Sequence, residues 1–194
     1  MNSKLFITLC IFILSACTYN PASINDPGLK YVTPHSSVSL LKKYDSAQLQ
    51  NYFSTLSAPS FRNFTGPFKG TTLGNEKFLT ALRNTIITFN PFTGDWEGKI
   101  FFSTSSTKGF GYNMFGKQTR RLKIGFNTSM AASVFDNKPV LRMDYASYPN
   151  ILGLVDAFDE IRQIDSNNFL LIAHTMSPLL KYNLPMYIHL QRIK

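Results

Sequence analysis

Cysteine, histidine, tryptophan and acidic residues are scarce: two Cys, three His, one Trp and 11 Asp and Glu stand against 20 Lys and Arg in 194 residues. The three histidines, His35, His174 and His189, lack the spacing of clustered metal ligands, so a zinc-hydrolase centre is not expected. His174 and His189 fall on strands that can pair across the last hairpin, where they could meet. There is no Gly-Xaa-Ser-Xaa-Gly elbow for a nucleophilic serine. Residues 109–116, GFGYNMFG, carry glycines but neither the spacing nor the following helix of a dinucleotide fingerprint. Among the carboxylates Asp144, Asp156, Asp159 and Glu160, the adjacent Asp159 and Glu160 point to opposite faces of a regular strand. Arg142 and Asp144, two apart, share a face and read as a local ion pair on the outside. No catalytic residue, metal ligand or cofactor is assigned, and a binding role is preferred to an enzymatic one.

The longest apolar run, Leu5 to Leu14, is too short for a permanent membrane span of about 20 residues. Preceded by Lys4 and followed by Ser15 and Ala16, it reads as a secretory signal peptide over residues 1–16. Leu14-Ser15-Ala16-Cys17 resembles the lipobox of bacterial lipoproteins, which implies cleavage before Cys17 and diacylation of its thiol. Thr18 after the Cys, by the same resemblance, favours the outer membrane, facing the periplasm. Cys10 would leave with the signal, so no cysteine remains for a disulfide. The remaining 178 residues, with a net charge of about +8, suffice for one domain and a tether. In that compartment a basic excess points to phospholipid or other envelope anions, not to nucleic acid.

Residues 17–35 are rich in Pro, Asn and Ser without apolar period and read as a tether. Residues 36–92 read as a helical segment packed on the following domain. Asp45 and Gln48 form a capping-box pattern before Leu49, Tyr52, Phe53 and Leu56 on one face. Pro59 ends that helix, residues 60–74 read as a Gly- and Pro-rich loop, and Asn75 starts a second helix with Phe78, Leu79, Leu82, Ile86 and Phe89 inward. From Trp96 the period becomes two. Trp96, Gly98, Ile100 and Phe102 share one face opposite Glu97 and Lys99. The pattern recurs at Leu122, Ile124, Phe126 and Thr128, at Leu141, Met143 and Tyr145, and at Met186, Ile188, Leu190 and Arg192. With turn signals between them, six or seven antiparallel strands over residues 93–194 make a mainly β, barrel or sandwich domain.

Gly94-Asp95-Trp96-Glu97-Gly98 resembles the Gly-Xaa-Trp-Xaa-Gly signature of small bacterial lipocalin-like proteins. Asp144-Tyr145, Tyr148-Pro149-Asn150 and Asp159-Glu160-Ile161-Arg162 resemble that family's later strands. The resemblance implies a lipocalin-like antiparallel β-barrel. Independently of it, a large flat side chain on the first strand of a closed barrel can plug the floor. Arg192 on the last strand would stack on the Trp96 indole. Tyr112, Met114 and Phe115 would line or gate the mouth, with Tyr145 as a polar handle.

These expectations describe an envelope lipoprotein whose barrel binds a hydrophobic or amphipathic, lipid-like small molecule through Trp96, Tyr112, Met114, Phe115 and Tyr145. The rival is a filled barrel that serves protein interaction or envelope assembly. Gly98, Gly125 and Ala173 facing inward would favour a cavity; Phe102, Phe126 and Phe169 converging inside would favour a filled core.

Overall fold

The computed structural model describes residues 38–74, 96–116, 121–148, 156–176 and 185–193. The expected signal, Cys17, the expected tether, the expected second helix from Asn75, Gly94-Asp95 and Pro149-Asn150 lie outside them. Among the described residues two short helices, α1 (Val38–Leu41) and α2 (Ser46–Thr55), and a 3-10 turn (Phe61–Asn63) precede eight strands. These are β1 (Gly66–Thr72), β2 (Trp96–Ser103), β3 (Lys108–Phe115), β4 (Arg121–Ala132), β5 (Pro139–Asp144), β6 (Asp156–Gln163), β7 (Asn168–Met176) and β8 (Met186–Arg192). Each strand pairs with its sequence neighbours, and β1 pairs with β8, so the sheet closes as an up-and-down barrel with the lipocalin-like, antiparallel order.

Helix α2 forms as its sequence dictates. The Asp45 carboxylate accepts the Gln48 N–H at 2.8 Å, and the Asp45 N–H donates to the Gln48 side chain at 3.0 Å. Leu49, Tyr52, Phe53 and Leu56 are all buried.

The first strand overturns the reading of residues 60–74 as loop and moves the start of the barrel from residue 93 back to Gly66. Gly66-Pro67-Phe68-Lys69-Gly70 has one large apolar residue and three turn formers, so it offers no alternation to recognise. The strand exists because both neighbours supply partners: Phe68 lies opposite Lys99 on one side and Arg192 on the other.

Two register shifts reset which side chains enter the lumen. One falls between Trp96 and Gly98 and puts Lys99 and Phe101 inside, so the expected shared face of Trp96, Gly98, Ile100 and Phe102 does not form. Gly98 sits at φ 152° with its α-carbon against the Phe68 carbonyl, where a Cβ would collide. The second shift, in the β3–β4 pairing, leaves Ile124 at φ 54° and separates exposed Leu122 and Ile124 from buried Phe126 and Thr128. By contrast Leu141, Met143 and Tyr145, and Met186, Ile188 and Leu190, keep the expected inward phase.

At the end where β1 begins, Phe64 enters the lumen among Phe68, Phe101 and Phe169, with ring centroids 4.7, 4.6 and 4.8 Å away. Phe126 continues the cluster from Phe101 at 5.2 Å. Edge-on and stacked contacts of this kind add to the area that five rings remove from water. Phe126 and Phe169 thus converge as a filled core requires, whereas Phe102 is on the outside and 38% exposed.

On the outer wall Arg162 is fully buried beneath α2 and the 133–138 turn. Its guanidinium lies 4.6 Å from the Phe53 ring and donates to the Phe53, Pro139 and Lys138 carbonyls. It also grips Asp136 through two bonds of 2.7 and 2.6 Å. Glu160, the next-but-one residue, takes Arg142 at 2.9 Å, the Ser133 hydroxyl at 2.7 Å and the Val134 N–H. Arg142 therefore pairs across strands with Glu160, not with Asp144, whose carboxylate instead accepts the Ala146 N–H.

Two outcomes follow. Phe64→Ala should lower unfolding stability by about 3 kcal/mol in a urea titration, while Phe102→Ala should change it by less than about 1 kcal/mol; equal losses would contradict the assigned inside and outside. The Arg162 bonds hold the Asp136 carboxyl below its usual range. A depressed folded pKa gives stability that is present above the unfolded carboxylate value and lost as pH falls through the folded one. Asp136→Asn should therefore be less stable at neutral pH and show a shallower loss of melting temperature on acidification than the parent chain.

Candidate functional site

The other half of the lumen is polar. Lys99 on β2, Asn113 on β3 and Asp159 on β6, with Tyr145 just after β5, are all buried, Lys99 and Asp159 at 4% and 3% exposure. The Lys99 ammonium donates to Tyr145 Oη at 2.6 Å and Asn113 Oδ1 at 2.8 Å and lies 3.2 Å from Asp159 Oδ2. Tyr145 in turn donates to the same Asp159 oxygen at 2.8 Å. Lys99 thus has a partner for each of its three protons.

Trp96 sits beside this network. Its indole N–H donates to Asn113 Oδ1 at 2.9 Å, and its ring lies on Gly70, where any Cβ would strike it. The Lys99 ammonium is 5.7 Å from the Trp96 ring, 5.4 Å from Phe126 and 5.3 Å from Tyr145, close enough for the ring faces to favour the cation. Asn113 spends its amide donor outward, on the Ile124 carbonyl at 3.0 Å. The lumen network is thereby bonded directly to the irregular residue of β4.

Burial pulls the Lys99 pKa down, and the neighbouring Asp159 carboxylate opposes that shift. Burial raises the Tyr145 hydroxyl well above its ordinary value, and the Asp159 charge and hydrogen bond push in the same direction. Tyr145 is held as a neutral phenol, donor to one neighbour and acceptor from the other.

The sequence-based candidates divide. Trp96 and Tyr145 are both at this site. Phe115, opposite Trp96, and Met114, opposite Gly98, are buried at the same end of the barrel. Tyr112 is on the outer face, paired with Ile100 and Gly125, so it does not line the lumen. Gly125 is outside too, beneath the Tyr148 ring, while Ala173 faces inward opposite Asp159. Arg192 does not stack on Trp96. It lies at the end where β1 begins, 4.7 Å from the Phe68 ring, and donates to the Thr65 carbonyl at 2.7 Å. The ring that enters at that end is Phe64.

The histidines do not meet. His189 is opposite Leu170 and bonds Asn168 at 2.9 Å, and burial lowers its pKa. His174 lies four residues farther along β7, stacked on Phe158 at 4.4 Å and 3.8 Å from Glu160.

Lys99 and Asn113 are absent from the sequence-based candidates, and Asp159 enters there only as a carboxylate on the strand face opposite Glu160. The usable signal was Gly98: a lone glycine inside an alternating stretch marks a bulge, and a one-residue bulge turns Lys99 inward. Lys99→Met should destabilise the chain by about 3 kcal/mol, because Asp159 is left buried without its counter-charge. The double variant Lys99→Met/Asp159→Leu should recover most of that loss in the same denaturant titration; simple additivity would refute the coupling.

No family model matches the chain, and no curated protein matches it. Among solved structures it is similar to a protein from Thermomonospora curvata known by its crystal structure. The TM-score is 0.50 and the identity 13%, over 78% of this chain and 89% of that one. At this identity the likeness is one of fold.

Proposed function

We propose that the chain is a lipid-anchored envelope protein whose barrel binds a hydrophobic or amphipathic small molecule at the lumen end that holds Lys99. One observation carries this reading: a Lys–Asp–Tyr–Asn network is buried inside an otherwise apolar lumen. Desolvating two opposite charges is a poor route to stability, and well-packed apolar side chains would serve the core at least as well. Buried titratable groups with shifted proton affinity are characteristic of binding and reaction sites. Trp96, Met186 and Ala173 supply apolar surface next to it, with Tyr145, Lys99 and Asp159 as the polar end. The phenylalanine-filled half restricts a ligand to the Trp96 end. The signal and lipobox-like sequence ending at Cys17 support the anchor and an outer-membrane, periplasm-facing location.

The five converging phenylalanines favour a second reading, a wholly filled barrel that acts through its outer surface in protein interaction or envelope assembly. Native mass spectrometry with lipid extraction, on the chain purified from a bacterial host, separates the two. The binding reading expects a stoichiometric lipid-like species that is lost in Ala173→Trp while the unfolding transition remains cooperative. A chain that is empty as purified and takes up no added fatty acid or lysolipid would overturn it and leave the filled barrel.

A further inference from the structure

In a regular β4 the alternation of Leu122, Ile124, Phe126 and Thr128 would place all four side chains on the lumen side. Instead Ile124 adopts φ 54°, a conformation that is unfavourable for a β-branched residue. Leu122 and Ile124 are left 46% and 36% exposed. Hydrophobic burial alone would select the opposite arrangement, yet Asn113 holds the Ile124 carbonyl in place.

These two residues extend an aromatic outer face. Phe102 stacks on Phe110 at 5.1 Å, Phe110 meets Tyr112 at 6.1 Å, and Tyr112 meets Tyr148 at 6.3 Å. Ile100 lies opposite Tyr112. The exposed bases Lys69, Lys108 and Arg121 border this face, and half-buried Lys123 lies between Leu122 and Ile124; the nearby acids are Glu97 and Asp144. On the other side of the barrel α2 covers Arg162, and Leu170 and Ile172 on β7 are fully buried.

We propose that the outer face of β2–β4 docks on an anionic lipid surface. Leu122 and Ile124 enter the boundary between headgroups and acyl chains, Tyr112 and Tyr148 lie at the headgroup level, and Arg121, Lys69 and Lys108 meet lipid phosphates. The outer wall of a barrel is convex and its basic rim is built of long side chains. That combination suits a deformable anionic layer better than an interdigitating protein partner. Arg121 and Leu122 are opposite Phe115 and Met114, at the Trp96 end of the barrel. Lys108, opposite Ser129, is at the other end, so the barrel docks along its side. The proposal rests on the exposed face and stands whether or not the lumen takes a ligand.

Carbene footprinting of the full chain tests it, in vesicles of phosphatidylcholine with phosphatidylglycerol and in phosphatidylcholine alone. Leu122, Ile124 and Tyr112 should lose labelling several-fold on the anionic vesicles. Leu40 and Val134, apolar and 39% and 55% exposed elsewhere, should not change. In Leu122→Ser/Ile124→Ser the protection of Tyr112 should disappear with no change in unfolding midpoint. Labelling of Leu122 and Ile124 that stays as high as that of Val134 would overturn the docking. Equal protection on neutral vesicles would overturn the anionic specificity. Protection that grows with protein concentration in the absence of vesicles would overturn the lipid assignment in favour of a second protein copy.

Discussion

A single ammonium group inside the barrel sets the terms for much of what surrounds it. Once the β2 bulge turns Lys99 inward, its charge needs a carboxylate and two further acceptors within about 3 Å, since an uncompensated buried charge is prohibitively costly. Asp159, Tyr145 and Asn113 meet that demand from three other parts of the sheet. Trp96 is then oriented by the same Asn113 oxygen, Gly70 is small because the Trp96 ring lies on it, and Gly98 is small because the bulge brings it against β1. One inverted side chain accounts for the identity of several residues that share no local pattern.

The lumen is consequently of two kinds. The half entered by Phe64 is closed by ring against ring and is what an aromatic-rich chain builds when nothing but packing matters. The half around Lys99 is bonded and directional, with Met143, Ala173 and Met186 beside the polar groups. The outer surface is divided as well: one wall is covered by α2 and the 133–138 turn and stitched through Arg162 and Glu160, the other carries exposed and half-buried aromatic side chains.

How much of this could be read in the residues depended on whether a segment obeyed its own period. The capping box at Asp45 and Gln48, the buried face of α2, and the inward sets on β5 and β8 were legible because local pattern and tertiary burial agree there. β1 was not, since a strand of Gly, Pro, Lys and Thr is defined by neighbours far away in sequence. The bulges at Gly98 and Ile124 inverted faces that were otherwise recognisable, which hid Lys99 and made Leu122 and Ile124 look like core. Trp96 packs against the lumen cluster as its motif suggests, but from the second strand and not the first. Its hydrogen-bond partner was not legible, because Asn113 sits in a stretch where glycine and aromatic residues dominate the impression.

The pairing of β1 with β8 has a consequence for how the molecule is made. Phe68 finds Arg192, and Thr72 finds Ile188, across more than a hundred residues of intervening chain. Contacts of such separation are entropically late, so closure is expected to be the slow stage of folding. Until β8 is available the sheet has two open edges, the state in which strand proteins associate with one another. Loss of even the last dozen residues would leave the chain permanently at that stage, with the aromatic lumen exposed along the seam.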